Sequence, residues 1–436
     1  MTMRTVLYAA LLGTAALAMI LNPQSVTIGQ TPAAEVTPKS PSAEKFRVSL
    51  SVSPFTEAML QKGVVFTDGK INAQTPEAVQ RLFMAYGANE VYARISTTRN
   101  VPIGMEDHSV HRGLERAALA KTLGLPFNPE IGLWKNYGDV THQPPPDFTD
   151  YPQLKVPGAW TSLTLDQMLP ILRAYGELIA REILGTGARV RIWDLGNEVE
   201  FGCAGVAIDP TGFQAGPGDY KAPDGIDPEI GKMNGLTLMR MPEARRIDWL
   251  KTHLWPYEGK MLAAVAAGIR TVEPKARFST HVSGITAVMP SQAVAFYKTL
   301  KENGFFPDEL GFSFYPTSRP NSWKLFQETA TAVHRELGRP LFITEYGYPS
   351  GKMTPPFVWN TPEANYPLTP EGQAAFTHDL VAWGVKSGIL SGIRPWAPDY
   401  AGPGWAPMAF FERDGKTATA RPALSAIQAA LNAKSQ

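Results

Sequence analysis

The stretch Ala188-Arg-Val-Arg-Ile-Trp-Asp-Leu-Gly-Asn-Glu198 decides how the rest of the chain is read. It has the length and apolar content of a buried strand, and it ends on a glutamate. A second stretch has the same form: Arg339-Pro-Leu-Phe-Ile-Thr-Glu345-Tyr-Gly-Tyr-Pro349. A carboxylate at the end of a buried strand is costly unless something pairs it or uses it. In a (β/α)8 barrel the C-terminal strand ends form the catalytic rim. Two glutamates there are what glycoside hydrolysis needs, one as proton donor and one as nucleophile or base. The alternative for both is a buried ion pair.

Working outward from these two stretches, strand-like and helix-like segments alternate. Strands are predicted at 46–52, 89–95, 126–134, up to Glu198, then at 276–282, 309–315, 341–345 and 392–396. Helices are predicted over 76–86, 112–123, 166–184, 245–272, 292–302, 324–337, 371–387 and 422–431. Two segments are too irregular for core and too long for ordinary turns, 199–244 and 347–367, and read as elaborated loops over the rim. Strict alternation of eight pairs predicts an α/β fold, a (β/α)8 barrel. The rival, an open doubly wound sheet, usually carries a Gly-rich phosphate loop after its first strand. Ser51-Val-Ser-Pro54 is not one.

Composition sets bounds on function. The chain has 436 residues, 44% hydrophobic and 19% charged, with a formal net charge of +1. That is a globular composition, and its balance gives no reason to expect nucleic acid as a partner. Residues 1–22 carry Arg4, a run of apolar and small residues from Val6 to Leu21, then Asn22 and Pro23. They are expected to be a signal peptide or an N-terminal membrane anchor. Residues 23–45, rich in Pro, Ser, Thr and Ala, read as a disordered linker. Residues 46–436 are then the catalytic domain. The expected location is secreted or periplasmic, with membrane contact only if the first segment is uncleaved. Cys203 is the single cysteine, so there is no intramolecular disulfide, and a small buried thiol is its expected state.

The strand ends supply the candidate chemistry. Asn197, just before Glu198, can bond a sugar 2-hydroxyl, a contact that strengthens in the oxocarbenium-like transition state. Tyr315, ending the sixth strand, can donate to Glu345 and keep it ionised. Arg94, ending the second strand, can add positive charge beside the same carboxylate. Glu198 has to be protonated to act as an acid, so burial and the Glu345 charge should raise its pKa. His281 can sit beside either, and Trp396 can form a floor under the sugar ring. For the aromatic residues the alternative is core packing, for Arg94 a structural salt bridge, and for His281 a satisfied core histidine. His108 and His111 have helical spacing but no evident third ligand. Asp209, Asp219, Asp224 and Asp227 lack an EF-hand pattern. No metal and no cofactor is expected.

These residues together resemble clan A glycoside hydrolases, and most closely family 53, the arabinogalactan endo-β-1,4-galactanases. Three segments carry the resemblance. Trp134-Lys-Asn-Tyr-Gly-Asp-Val-Thr-His-Gln143-Pro is similar to the family's loop after strand three. Asp194-Leu-Gly-Asn-Glu198-Val-Glu-Phe-Gly202 is similar to its acid/base motif, and Leu310-Gly-Phe-Ser-Phe-Tyr-Pro316 to its strand-six motif. The resemblance implies a retaining (β/α)8 enzyme that acts on a polysaccharide or oligosaccharide, with Glu198 as acid/base and Glu345 as nucleophile. It also implies sugar contacts from Trp134, His142 and Gln143, while Phe357 and Trp359 are expected to cap the cleft. Cys203-Ala-Gly, Thr317-Ser-Arg-Pro and Tyr346-Gly347 depart from the family at cleft positions. Mannan, xylan and β-glucan therefore stay open beside galactan, as does a non-catalytic carbohydrate-binding barrel.

Overall fold

The computed structural model describes residues 45–100, 106–213, 221–355 and 357–433. The expected signal segment, nearly all of the expected linker, and Asp219 lie outside them. Eight strands form one parallel sheet: β1 Arg47–Val48, β2 Val91–Ile95, β3 Phe127–Ile131, β4 Trp193–Leu195, β5 Phe278–Val282, β6 Glu309–Phe314, β7 Leu341–Tyr346 and β8 Leu390–Pro395. They pair in chain order, and β8 pairs with β1. Between β1 and β2 the seam closes through Asn89 N–H donating to the Val48 carbonyl at 3.0 Å and Tyr92 N–H donating to the Ser51 hydroxyl at 2.9 Å. The sheet is a closed (β/α)8 barrel.

Side-chain alternation explains what fills the barrel. Along β2, Val91, Ala93 and Ile95 share one face, so Tyr92 and Arg94 take the other. The parallel register sets Tyr92 beside Asn128 and Arg94 beside Glu130, and Glu130 beside Asp194. The inner face at this level is thus a row of charged and amide side chains. Arg47, Glu90, Arg94, Asn128, Glu130, Asp194, Glu309 and Arg394 are each no more than 4% exposed. Burying charge is tolerated only with partners, and each has them. Arg47 pairs with Glu90 at 2.9 Å and with Glu309, and donates to Asn128 at 3.0 Å. Arg394 reaches Glu130 at 3.2 Å and Asp194 at 3.4 Å, and its guanidinium lies 3.7 Å from the centre of the Tyr92 ring.

The outer ring comprises α1 Pro76–Ala85, α2 Val110–Leu123, α3 Leu165–Gly185, α4 Trp255–Val272, α5 Pro290–Glu302, α6 Ser322–Leu337, α7 Pro370–Ser387 and α8 Ala423–Asn432. Helices α3 and α4 approach closely because each offers a glycine. A Cβ on Gly268 would lie 1.9 Å from the Arg173 carbonyl oxygen, and one on Gly176 would lie 2.3 Å from that of Val265. The helix expected at 245–272 is two helices, Glu243–His253 and α4. Pro256 favours the break: lacking an N–H and crowding the preceding turn, it is best tolerated in the first turn of a helix, which is where it stands in α4. The expected loop at 199–244 contains a two-stranded hairpin, Gly202–Cys203 with Val206–Ala207, and a short helix, Gly235–Arg240. A four-stranded sheet that periodicity did not reveal ties the first and last rim loops together: Phe411–Asp414, Thr417–Ala420, Val65–Thr67 and Asn72–Ala73. Its strands are only two to four residues long, too short for alternation to show. Among the described residues no helix is long and apolar enough to cross a membrane.

Candidate active site

Glu345 is the fifth residue of β7 and is 6% exposed. One of its oxygens accepts from the Tyr315 hydroxyl at 2.7 Å, and the other is paired with Arg94. Burial alone would raise the Glu345 pKa. The Arg94 charge, then the His281 charge and the Tyr315 and Arg94 hydrogen bonds, outweigh burial and hold it below the ordinary carboxylate value. The Tyr315 phenol is itself pushed well above its usual range by burial and by Glu345, so it stays a donor. Arg94 also bonds Glu130 and donates to Asn197 Oδ1 at 2.9 Å. One guanidinium therefore fixes three strand ends relative to one another.

Glu198 stands three residues beyond the end of β4, not at its end as the sequence reading had it. Gly196, at φ +75°, ends the strand, and its N–H is bonded to the Ile131 carbonyl at 2.9 Å. A Cβ on Gly196 would lie 2.3 Å from a Val199 methyl, so this turn needs glycine. Glu198 itself is left-handed, with φ 50° and ψ 55°, and is 7% exposed. Its carboxyl accepts the Val140 N–H at 3.1 Å from the loop after β3. Burial first, then the charges of Glu345, Asp139 and Glu200, drive its pKa well above the usual range. Two carboxyl groups in one site thus carry opposite shifts, one a held proton and the other a held charge.

Asn197 is the hinge between them. Its Oδ1 accepts from Arg94 and from His281 Nε2 at 2.7 Å, and its Nδ2 donates to the Gly138 carbonyl at 2.7 Å. Gln143 is buried and spends its amide on the Asn197 carbonyl at 2.6 Å and the Asp139 carbonyl at 3.0 Å. It braces the site from behind. Trp134 is wholly buried against Gly132 and Gly138, so its ring packs beneath the loop and offers no face to a ligand. His142 is half-buried, bridged to Asp139 through the backbone. Burial would lower the His281 pKa, but Asp194, 3.6 Å away, raises it above the ordinary histidine value.

Trp396 is half-buried just past β8, edge-on to Trp405 at 4.9 Å and to Phe55 at 5.9 Å between ring centres. Trp359 lies 4.9 Å from the Tyr315 ring and 5.0 Å from Phe357. The loop bearing them is pinned by Thr361 N–H on the Thr317 carbonyl at 3.1 Å and by Asn360, which bonds both the N–H and the carbonyl of Met353. Phe55, Tyr315, Met353, Trp405 and Met408 form an apolar cluster separate from the main core, with Trp396 and Trp359 against it. An aromatic wall therefore stands on the Glu345 side of the rim.

Sequence reading passed over Glu130, Asp194, Asp139 and Arg394. The signal for the first two was available. Glu130 and Asp194 lie on predicted strands at the register of Arg94, and alternation alone points them inward. Glu130, Asp194 and His281 also bring three donor atoms within 4.8 Å of one another. Both carboxylates are already paired with guanidinium groups, Glu130 with Arg94 and Arg394 and Asp194 with Arg394, which makes this a buried network of ion pairs beside Glu345. His108 and His111 turn to different carboxylates, Glu106 at 2.5 Å and Glu115 at 3.2 Å.

Comparison with known proteins agrees with this fold. Residues 224–423 match the sequence model of glycosyl hydrolase family 53. No curated protein matches the chain. Among solved structures, the Ignisphaera aggregans GH53 catalytic domain superposes with a TM-score of 0.63 at 16% identity, over 88% of this chain and 95% of that one. A structure from a study of two fungal β-1,4-galactanases gives 0.62 at 17% identity, over 88% and 99%. A β-glycosidase from the hyperthermophile Thermosphaera aggregans gives 0.51 at 12% identity, over 90% and 96%. Similarity at these identities shows the shared barrel.

Proposed function

We propose that this glycoside hydrolase, whose residues 224–423 match family 53, is a retaining endo-β-glycosidase acting on a polysaccharide, with β-1,4-galactan as the first substrate to test. The observation that carries the reading is the opposed state of the two carboxyl groups. Burial and the Glu345 charge keep Glu198 protonated, and Arg94 with Tyr315 keeps Glu345 ionised. Environments that drive two pKa values apart assign acid and nucleophile.

In the first step the Glu345 carboxylate attacks the anomeric carbon while Glu198 gives its proton to the departing glycosidic oxygen. The product is a glycosyl ester on Glu345. Esterification removes the Glu345 charge, which is second only to burial in raising Glu198. Glu198 therefore becomes a stronger acid once the ester forms, and its carboxylate takes a proton from the water that attacks the same carbon and displaces the Glu345 carboxylate. Among the described residues the second hydrogen of Asn197 Nδ2 has no protein partner, which leaves it free to donate to a 2-hydroxyl. Trp396 supplies an apolar floor for the ring.

The test is stereochemical. Azide should rescue Glu198→Ala on an activated aryl glycoside with the β-glycosyl azide as product, and Glu345→Ala should give no turnover and no β-adduct. An initial sugar product of inverted configuration, or two variants with normal activity on the cognate glycan, would refute the assignment. A panel of galactan, mannan, xylan and β-glucan, with product sizes followed over time, identifies the sugar and separates endo from exo action. The apolar segment at 6–21 supports export, and the N-terminal residue of the mature protein tests it.

A further inference from the structure

The turn that carries Glu198 is fastened by a residue that the reaction does not use. Glu200 is wholly buried. Both of its carboxylate oxygens accept the Ser283 N–H at 3.0 Å, and one also accepts the Ser283 hydroxyl. Ser283 is the first residue after β5. The Glu200 backbone carbonyl accepts the Trp255 indole N–H at 2.9 Å, at the first residue of α4. One side chain and one carbonyl thus tie the turn after β4 to the next strand and to the helix behind it.

That turn is in need of holding. A left-handed backbone at a non-glycine residue costs on the order of 1–2 kcal/mol and persists only where the surroundings impose it. Glu198 adopts this conformation two residues before Glu200, in a turn entered through Gly196 and left through Gly202, both at positive φ. The direction of the Glu198 carboxyl follows from that backbone. Both Glu200 oxygens face the Ser283 N–H, so a carboxylate suits the position, whereas an amide of the same shape would turn its own N–H toward that donor.

We propose that Glu200, through its clasp on Ser283, is the positioning residue that aims Glu198 at the leaving-group oxygen. This rests on Glu198 being the acid/base, as argued above. Glu200 touches no substrate, and its influence is confined to steps in which Glu198 moves a proton.

The experiment measures kcat/KM, which reports the first chemical step, on aryl β-glycosides of the sugar released in the panel assay. The leaving groups range from 2,4-dinitrophenol, which departs without a proton, to phenol, which needs one. Proton transfer by a placed acid contributes about 10²–10⁴-fold. Glu200→Gln and Ser283→Ala are therefore expected to lose roughly 10- to 100-fold on the phenyl substrate, part of that contribution, and little on the dinitrophenyl one. Ser283→Thr keeps both donors and should behave as wild type. Equal losses on both substrates, or none on either, in folded protein would overturn the proposal. If Glu200→Gln fails to fold, Ser283→Ala, which keeps the N–H contacts, decides alone. If Glu198→Ala itself shows no selective loss on the phenyl substrate, the acid/base reading falls and takes this one with it.

Discussion

Deleting one oxygen, in Tyr315→Phe, tests how Glu345 is kept ionised. The hydroxyl lies 2.7 Å from Glu345 Oε2 in a site only 6% and 9% exposed at the two residues, so water replaces the lost donor poorly. A hydrogen bond to a charged acceptor contributes about 1.5–3 kcal/mol. The lower end applies, because Arg94 remains and has the larger influence on Glu345. With 1.36 kcal/mol to the pKa unit, about 1.5 kcal/mol moves Glu345 up by about one unit. The acidic limb of kcat/KM should therefore rise by about one pH unit in the variant, as read from initial rates on an activated aryl glycoside. Linkage gives a second reading. The Glu345 pKa is lowered on folding, so its stabilisation is present above the unfolded carboxylate value and is lost as pH falls through the folded one. Urea unfolding should show Tyr315→Phe less stable by about 1.5 kcal/mol near neutral pH, with the gap narrowing in acid. An acidic limb that stays in place or moves down would show that Tyr315 does not hold Glu345 ionised.

Other outcomes follow from the same geometry. The wild-type kcat/KM profile should be bell-shaped, with its acidic limb below and its basic limb well above the ordinary glutamate range, the pair titrating together. Glu198→Gln should remove the basic limb on activated substrates, and a limb that persisted would belong to another group. Glu258, in the first turn of α4, is buried with neither oxygen hydrogen-bonded among the described residues, and burial and then Glu200 raise its pKa well above the usual value. A raised carboxyl penalises the fold increasingly as pH climbs above its unfolded value. Glu258→Gln should thus gain thermal stability over wild type, more at mildly alkaline than at mildly acidic pH, by about 1–3 kcal/mol, and melting curves at the two pH values check this. Gly268→Ala places a methyl 1.9 Å from the Arg173 carbonyl. Forcing α3 and α4 apart should cost about 1–3 kcal/mol or more, far beyond alanine's intrinsic helical advantage, and chemical denaturation measures it.

The barrel and the pair of buried glutamates at its rim were legible because both are written in local pattern. Eight apolar runs separated by amphipathic stretches indicate a parallel barrel, and a glutamate at a strand end stands out against its neighbours. Asn197, Arg94, Tyr315 and His281 were singled out by the same rule, and the structure brings all four around the two carboxyl groups. What stayed hidden depends on register. Glu130 lies in the middle of its predicted strand, 126–134, where nothing at the strand end singles it out. Only pairing with β2 and β4 shows that it completes a charge row. Trp134 was read as a sugar contact because it adjoins a resembling loop. Whether an aromatic ring lines a cleft or supports it depends on neighbours such as Gly132 and Gly138, which close over this one. Pro256 was in plain view, but the apolar spacing on either side of it masked the helix break.

The charges that fill the barrel also govern the order in which it can be assembled. Arg47 reaches Glu309 across 262 residues of chain, and Arg394 reaches Glu130 across 264 and Asn128 across 266. None of these pairs can form within a half barrel. Until β8 docks, Asp194 lacks its guanidinium and Glu130 has only that of Arg94, so a partly built sheet keeps its interior wet. Dehydration of the interior becomes the closing event, shared by the first strand and the last. A chain built this way does not divide into autonomous halves. A fragment ending before Leu390 should behave as an open, hydrated intermediate, and the eighth strand acts as the stopper that makes the other seven a dry interior.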